Sequence, residues 1–348
     1  MSREQRTGVL LVNLGTPDDP TPGRVRRYLR QFLSDPRVLT LPGPLRWLLL
    51  NLVILPFRPR RSAEAYRAIW TAEGSPLLLH SQALARGVAR ALGGDFEVRL
   101  AMRYGNPSIA KGLDELEAAG VDRLIVLPLF PQYAAAVTAS VAAEVFECLK
   151  RKPDIPPVEI LGAFHHEQDF ARAWGDIVSP GLDAFAPDRI LFSYHGLPES
   201  QIRQSDPKPG HCLASVDCCE KPGPSLSRCY RAQCFETTRA LVHAMSLDPA
   251  RTQTAFQSRL GRTPWIGPQT DLVLPELADQ GVRRLAVLCP SFVCDCLETL
   301  EEIGIRLREQ WLELGGEALW LAPCPNGDPR FAEAVAGWIR RRAPEPHP

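Results

Sequence analysis

The chain has 348 residues, which exceeds one ordinary domain of roughly 100 to 200 residues and predicts two domains. Hydrophobic residues make up 45% and charged residues 23%, so collagen-like, low-complexity and wholly disordered proteins are excluded. The 40 Lys and Arg balance the 40 Asp and Glu, and a formal charge of zero provides no field that attracts nucleic acid. We expect a globular protein with no nucleic-acid partner.

The first seven residues are polar and lead into a short apolar run, 8–12. This run is too short for a signal-peptide core and lacks a small-residue cleavage site. No stretch reaches the roughly 18 to 20 apolar residues that a membrane-spanning helix needs. We expect a cytoplasmic protein with reduced cysteines, in which a local group of cysteines indicates a metal before disulfides.

Short apolar runs bounded by Gly or Pro recur along the chain and predict buried strands. They cover residues 9–12, 98–102, 124–129, 158–161, 190–192, 285–288 and 319–321. Segments with helical periodicity lie between several of them, for example 109–119 and 272–280. This alternation predicts βαβ units, and therefore an α/β fold with parallel sheets.

An internal repeat indicates that both halves share one architecture. Eight residues of the segment 113–127 recur at one constant offset in 274–288. A helix, a glycine stop and a strand produce part of such a match by themselves, but not eight positions at one offset. We predict two similar Rossmann-like domains, 1–155 and 156–348, which bind ligands outside the carboxyl ends of their strands. An alternative for the carboxyl-terminal helix is packing back on the first domain.

A histidine follows one of the predicted strands. His195 comes after the run 190–192, at the end of the strand where such folds bind ligands, and its imidazole is a candidate base. The alternative is a histidine that only hydrogen-bonds a loop, and the segment by itself fits both.

Three carboxylates follow the predicted strand 285–288. Asp295, Glu298 and Glu302 fall at i, i+3 and i+7, which predicts one face of a helix that opens at Cys294. Helix capping is the alternative, because Asp295 and Glu298 fit a capping box. With His195 at the same cleft, the set favours a site for ferrous iron or for proton abstraction, with His195, Glu298 and Glu302 as the iron-contacting residues.

Further polar and aromatic residues follow strands of the first half: Asn13, Arg103, Tyr104 and the segment 130–133, which ends in Tyr133. Each of them could be structural. The arginine could also bind a carboxylate, and the aromatic rings could contact a flat ligand.

The segment 45–57 is almost entirely apolar and is followed by Arg58, Arg60 and Arg61. It is too short to span a bilayer, and a buried helix would show a polar face. We predict a lip, 41–62, that rests in a membrane interface through 45–61, with the arginines at anionic head groups. Burial in a homodimer interface is the alternative.

Five cysteines lie within a Gly, Pro and Ser-rich insertion at 205–234: Cys212, Cys218, Cys219, Cys229 and Cys234. A connection this long needs a function or a local cross-link, which a bound metal centre would provide. Paired Cys-x-x-Cys motifs of zinc sites are absent, and four thiolates are sufficient for an iron–sulfur cluster. We therefore favour a [2Fe-2S] cluster over zinc, with free thiols or disulfides as a third alternative.

Eight motifs in chain order resemble those of ferrochelatases, over about residues 9–339. They are VNLGTP, QFLSDPRV, YRAIW, EGSPL, RYGNP, LPLFPQY, FSYHGLP and CLETLEEI. The resemblance implies a lyase that inserts ferrous iron into protoporphyrin IX, as the last step of haem biosynthesis, in a cleft between two Rossmann-like domains. The alternatives are a coproporphyrin ferrochelatase and a non-catalytic haem-binding or iron-binding protein.

The resemblance also implies roles for single residues. His195 and Glu298 match the catalytic histidine and acid, and Glu302 matches the next member of an acidic path. The path departs from the family pattern at Arg306, where a further acid is common. The residues implied for the porphyrin are Leu14, Tyr66, Ser75, Arg103 and Tyr104, to which the strand-end argument adds Tyr133.

Some ferrochelatases carry a [2Fe-2S] cluster, often with ligands near the carboxyl terminus. This chain has no cysteine after Cys324 and resembles instead bacterial members with an internal ligand segment. Four ligands from five candidates leave one spare, for which we expect Cys218 or Cys219 because adjacent residues seldom face one cluster. The apolar run resembles the lip by which members associate with the inner membrane.

Overall fold

A computed structural model describes residues 6–207, 209–221, 223–261 and 263–343. The chain forms two compact units. The first contains the described residues of 1–130, 134–162 and 326–348, and the second contains 131–133 and those of 163–325. The predicted boundary between separately folding domains near residue 155 stays a prediction.

The strands form two separate four-stranded sheets in which every pairing is parallel. The strands are β1 Thr7–Thr16, β2 Phe96–Gly105, β3 Arg123–Pro128, β4 Val158–Ile160, β5 Arg189–His195, β6 Thr252–Gln257, β7 Arg284–Leu288 and β8 Ala318–Leu321. The first sheet has the order β2-β1-β3-β4 and the second the order β6-β5-β7-β8. The two sheets therefore share one topology, as the repeat predicted, and the α/β fold is confirmed.

Helices connect the strands and flank each sheet. They are α1 Pro22–Ser34, α2 Gly43–Leu48, α3 Leu55–Ile69, α4 Pro76–Leu92, α5 Ile109–Ala118, α6 Ser140–Leu149, α7 Gln168–Phe185, α8 Glu199–Gln204, α9 Tyr230–Ala244, α10 Thr270–Asp279, α11 Leu297–Leu300, α12 Arg308–Glu313 and α13 Pro329–Arg340. The last helix, α13, belongs to the first unit and packs on α4, where a Cβ on Gly87 would lie 2.8 Å from the Ala332 Cβ. Within the described part of the chain, no helix combines the length and the apolar character needed to cross a bilayer.

The central strands are buried on both faces, which explains their continuous apolar sequence. Residues 9–12 of β1 and 285–288 of β7 are fully inaccessible to solvent. All seven runs predicted as strands are strands. The strand β6 was missed because its sequence, TQTAFQ, alternates polar and apolar residues without a continuous apolar run.

Candidate functional site

His195 ends β5 and extends beyond one of its neighbouring strands. On the β6 side its register partner is Gln257, whereas β7 already ends at Leu288, opposite Phe192. The His195 Nδ1 lies 2.7 Å from the Gly196 carbonyl oxygen. Because a carbonyl only accepts, Nδ1 carries a proton. In the neutral form of the ring the lone pair is therefore on Nε2, which has no hydrogen-bond partner in the described part of the chain.

Gln257 connects this strand end to the two glutamates. Its Nε2 donates to the Glu298 carbonyl oxygen at 2.7 Å and lies 3.4 Å from the Glu302 Oε2. Its Oε1 accepts from the Ser193 hydroxyl at 2.8 Å. The structure therefore brings His195, Glu298 and Glu302 to the same edge of the second sheet.

Ser258 fixes the Glu302 carboxylate. The Ser258 N–H donates to Oε1 at 2.8 Å and its hydroxyl donates to Oε2 at 2.6 Å. Ser258 has a φ of +67°, in the left-handed region that non-glycine residues rarely adopt. Strained backbone of this kind persists where its surroundings hold it and is frequent at functional sites, here with both donors directed at one carboxylate.

The helix that carries the glutamates begins later than predicted. It starts at Leu297, with Cys296 as the N-cap and Thr299 completing the capping box. Asp295 is buried before the helix and accepts from the Thr299 hydroxyl at 3.0 Å and from the Cys324 N–H at 3.3 Å. The predicted three-acid face and the predicted capping role of Asp295 are therefore both wrong, since buried donors hold this carboxylate inside the protein.

Glu298 and Glu302 differ in how firmly they are held. Glu298 is half-buried, and its carboxylate contacts the Cys296 thiol, whose pKa burial raises and the Glu298 charge raises further. A thiol is a weak donor, whereas Glu302 receives stronger N–H and O–H donors. Glu298 therefore has more freedom to exchange a proton or a ligand.

A pocket of about 190 Å³ lies beside Glu302. Two of its lining residues are arginines that are already paired: Arg259 with Asp271 at 2.7 Å and Arg306 with Glu301 at 2.8 Å. The pocket beside Glu302 is therefore lined by both positively and negatively charged side chains.

The matching edge of the first sheet contains a buried ion-pair network. The Arg103 guanidinium lies 2.9 Å from the Asp35 carboxylate, 2.8 Å from the Ser140 hydroxyl and 3.3 Å from Glu144. Tyr104 is fully buried, and its hydroxyl donates to the same Asp35 oxygen at 3.0 Å. Burial opposes the charged form of Asp35, but the Ser140, Arg37 and Tyr104 donors and the Arg103 charge hold its pKa below the usual range.

The other residues predicted for the porphyrin in the first unit are also packed. The Ser75 hydroxyl donates to the Thr16 hydroxyl at 2.8 Å, and both residues are buried. Tyr66 is buried with its ring edge-on to Tyr28 at 6.4 Å. Leu14 is half-buried. In the second unit, Tyr133 is half-buried and its N–H donates to Gln233 at 2.7 Å.

The predicted lip is a surface feature of the first unit. Helix α2, a π-helical turn at Leu49–Ile54 and the start of α3 follow one another there. Trp47, Leu52 and Phe57 are 61%, 61% and 75% exposed, which is unusual for large apolar side chains on one short segment.

The cysteine-rich segment is organised around a buried carboxylate that sequence reasoning missed. Asp206 accepts from the N–H groups of His211 at 3.0 Å and Cys212 at 2.8 Å, and from the Ser225 hydroxyl at 2.7 Å. These bonds tie the start of the segment to its end. All five of its cysteines are buried, and none of the ten cysteines, all of which lie in the described ranges, forms a disulfide.

Four of the five thiols form a chain of contacts. Cys229 hydrogen-bonds with Cys212 and with Cys219, and the Cys219 sulfur lies 4.0 Å from that of Cys218. The hydrogen bond with Cys229 and burial raise the pKa of Cys219. Cys234 is fully inaccessible and hydrogen-bonds instead with Tyr230, one turn earlier in α9.

Within residues 6–207, 209–221, 223–261 and 263–343, no group of three or more His, Cys, Asp or Glu side chains is arranged to hold a metal ion. This holds for the five cysteines of the cysteine-rich segment as well as for the predicted iron-contacting residues His195, Glu298 and Glu302.

Sequence reasoning missed Asp35, Gln257, Ser258 and Tyr230. A usable signal existed for Asp35, which lies inside the QFLSDPRV motif. Gln257 and Ser258 are polar residues at a strand end, but the strand itself was missed.

Comparisons with known proteins agree over nearly the whole chain. The family model described as Ferrochelatase matches residues 6–343. A ferrochelatase of Coxiella burnetii (strain Dugway 5J108-111) is 47% identical over 341 residues, 98% of this chain and 95% of that protein. A ferrochelatase of Legionella pneumophila (strain Lens) is 45% identical over 338 residues, 97% of this chain and 99% of that protein.

Solved structures share the fold at low sequence identity. SirB from Bacillus subtilis with Fe3+ has a TM-score of 0.56 at 12% identity, over 97% of this chain and 96% of that chain. The sirohydrochlorin chelatase SirB from Bacillus subtilis subspecies spizizenii in complex with cobalt has a TM-score of 0.54 at 11% identity, with the same coverage of both chains. By its sequence over residues 6–343, with a chelatase-like pair of parallel sheets, the chain belongs to the ferrochelatase family.

Proposed function

We propose that this protein inserts ferrous iron into protoporphyrin IX, the terminal step of haem biosynthesis. The ferrochelatase family match over 6–343 carries the proposal, and it is supported by Gln257, the register partner of His195, which bonds to Glu298 and Glu302. Porphyrin metallation must remove two pyrrole protons, so it requires a base that is unprotonated before each transfer.

His195 would accept these protons at Nε2. The Gly196 carbonyl holds the other ring nitrogen in its protonated form and so selects the useful tautomer. Glu298, whose carboxylate contacts the Cys296 thiol, would take protons onward or contact the entering iron. Glu302 would act as a fixed negative charge, because Ser258 and Gln257 already orient its carboxylate.

Tyr133, which is half-buried in the second unit, would contact the macrocycle. The contact implied for the half-buried Leu14 stays a prediction. For Arg103, Tyr104, Ser75 and Tyr66, the internal contacts support a role in shaping the substrate wall rather than in donating to a propionate.

The test is anaerobic ferrous-iron insertion by the purified protein with protoporphyrin and with coproporphyrin at matched concentrations. We expect the higher kcat/KM on protoporphyrin. A higher kcat/KM on coproporphyrin would favour the alternative substrate, and binding of haem or porphyrin without turnover on either would favour a non-catalytic protein.

The lip would rest on an anionic membrane surface. Support comes from Trp47, Leu52 and Phe57, whose exposed apolar side chains precede the exposed Arg60 and Arg61. This would make the protein cytoplasmic and peripheral to the inner membrane. A Trp47→Ser, Phe57→Ser double variant should lose sedimentation with vesicles containing anionic lipid, whereas Phe146→Ser, an exposed aromatic of α6, should keep it. If the double variant instead turns a dimer into a monomer, the face is a homodimer interface.

The cysteine-rich segment would hold a [2Fe-2S] cluster. Four buried thiols in mutual contact fit its donor set, and two further donors are directed at the sulfurs: the Arg231 guanidinium at 3.2 Å from Cys219 and the Leu213 N–H at 3.4 Å from Cys218. When bound, the cluster would cross-link the segment. The contacts favour Cys212, Cys218, Cys219 and Cys229 as ligands and Cys234 as the spare, a different division from the one that adjacency of Cys218 and Cys219 suggests.

Visible absorption together with iron and acid-labile sulfide content of the anaerobically purified protein tests the cluster. We expect about two irons and two sulfides per chain. Cys234→Ala should keep both, and Cys212→Ala should lose both. Zinc without visible absorption would establish the alternative metal, and loss of the cluster in Cys234→Ala would overturn the division of ligands.

A further inference from the structure

Tyr230 connects the cysteine-rich segment to the backbone of His195. It is the first residue of α9 and directly follows Cys229. Its hydroxyl donates to the His195 carbonyl oxygen at 2.7 Å and lies 3.0 Å from the Ser291 hydroxyl. The His195 N–H in turn donates to the same Ser291 oxygen at 3.2 Å.

Counting protons assigns the direction of each bond. The single Tyr230 proton is used on the His195 carbonyl, so Ser291 must donate its own proton to the Tyr230 oxygen. The Ser291 oxygen then accepts from the His195 N–H. His195, Ser291 and Tyr230 are therefore joined by a closed ring of three hydrogen bonds in which each donor is used once. Connected hydrogen bonds of this kind strengthen one another.

The hydrogen bonds of this ring pair with His195 on the side where β7 has already ended. Because β7 ends at Leu288, opposite Phe192, it offers no ladder partner to the polar backbone of His195. Tyr230 and Ser291 supply these partners. Backbone N–H and C=O groups of a strand require partners. The ring supplies them on the β7 side of His195, whereas β6 pairs with its other side at Gln257.

Tyr230 is also linked to cysteines of the cysteine-rich segment. Its preceding residue, Cys229, hydrogen-bonds with Cys212 and Cys219, and Tyr230 itself hydrogen-bonds with Cys234. Tyr230 is 6% exposed and therefore has little room to move independently. A change in the position of the Cys229 sulfur thus displaces the start of α9 and the ring with it.

We propose that Tyr230 is a positioning residue, which makes the placement of His195 depend on whether the cysteine-rich segment holds its metal centre. The proposal rests on the proposed function for the role of His195 and of the segment. It adds that the cysteine group influences proton transfer from a distance, through the main chain of the histidine.

The experiment compares Tyr230→Phe, Cys229→Ser and the double variant. Tyr230→Phe keeps the cluster absorption and the iron content, lowers kcat about tenfold and leaves the porphyrin KM within about twofold, a factor of ten being one hydrogen bond's contribution of about 1.4 kcal/mol. Cys229→Ser loses the absorption and lowers kcat to a similar extent. The double variant loses no more than the worse single variant, because both changes act through one path.

Hydrogen exchange provides a readout that does not depend on turnover. The His195 amide exchanges slowly in the wild-type protein and faster in Tyr230→Phe and in Cys229→Ser. Tyr194→Phe is the matched control, since it removes a buried hydroxyl that pairs with Thr238 at 2.9 Å instead of with His195. Ser291→Ala opens the same ring from its other member and serves if Tyr230→Phe does not fold.

Unchanged protection of the His195 amide in Tyr230→Phe or Ser291→Ala overturns the proposal. So do losses of kcat that multiply in the double variant. If the wild-type protein inserts no iron, the proposed function fails, and the exchange measurement still decides whether the segment and the histidine are coupled.

Discussion

The two sheet edges have the same topology and opposite chemistry. At the first edge, Asp35, Arg103, Tyr104 and Ser140 satisfy one another in a buried network. At the second, the described residues offer no hydrogen-bond partner to the His195 Nε2, and the Glu298 carboxylate contacts the weakly donating Cys296 thiol. A charged network in which every group is paired is rigid and leaves few donors or acceptors for a substrate. Groups without such partners can exchange protons.

The two halves of this duplicated fold therefore have different expected roles. The first edge is expected to provide shape and the second to provide chemistry. A substitution at one edge should therefore change either the free energy of unfolding or the rate of iron insertion.

The largest expected effect is on rate, from His195→Ala. Removal of a general base typically lowers a rate by about 10² to 10⁴, so we expect at least a 100-fold loss of iron insertion. Porphyrin binding, followed by fluorescence quenching, should persist. His243→Ala, an exposed histidine in the last turn of α9, is the control and should retain full rate. Comparable activity in both variants would end the assignment of chemistry to the second edge.

Asp35→Asn is expected to act on stability. Removing the Asp35 charge leaves Arg103 with the more exposed Glu144 as its remaining ion-pair partner and costs about 3 kcal/mol of unfolding free energy at pH 7. Because the folded pKa of Asp35 is lowered, its contribution is present above the unfolded value of about 3.9 and is lost as the pH falls through the folded value. The difference between variant and wild type should therefore shrink below about pH 4.

Urea unfolding between pH 3 and 7 measures this difference. Glu64→Gln is the control, because Glu64 lies in an exposed pair with Arg67 at 4.0 Å and should change stability by less than about 0.5 kcal/mol. A difference that grows at low pH would mean that the network is not held by the ionised Asp35.

The smallest expected effect comes from Ser258→Ala. The variant keeps the N–H that donates to Glu302 but loses the hydroxyl bond of 2.6 Å. One hydrogen bond to a charged group contributes about 1.5 kcal/mol, so kcat should fall about tenfold with little change in porphyrin KM. Steady-state rates measure the split. An increase in KM alone would show that Glu302 serves binding.

Much of the fold was predictable because parallel strands have a simple signature. Continuous apolar runs identified seven strands, and the repeat identified the common topology. The strand β6 was missed since its polar positions interrupt the run. The helix start at Leu297 was missed because one of the donors that hold Asp295 before the helix, the Cys324 N–H, comes from a remote part of the chain.

The residue types of the site were predictable from the sequence, but the hydrogen bonds between these residues were not. The motif order identified His195, Glu298 and Glu302 as candidates, but nothing in it indicated that Gln257 bonds to both glutamates. The cysteine spacing indicated a metal centre. It could not indicate which thiols touch, because Cys234 is directed by helix α9 and the others by an irregular segment.

By itself, the sequence determined the family, the two parallel sheets and the residue types at their carboxyl edges, since these follow from local periodicity and short motifs. Tertiary structure decided which of these side chains are already paired. Asp35, Ser140 and Arg103 are far apart in the chain, and only the folded first unit brings them within 3 Å of one another. At the other edge, the described residues leave the His195 Nε2 without a hydrogen-bond partner. Pairing depends on distances between remote residues, which local patterns do not encode.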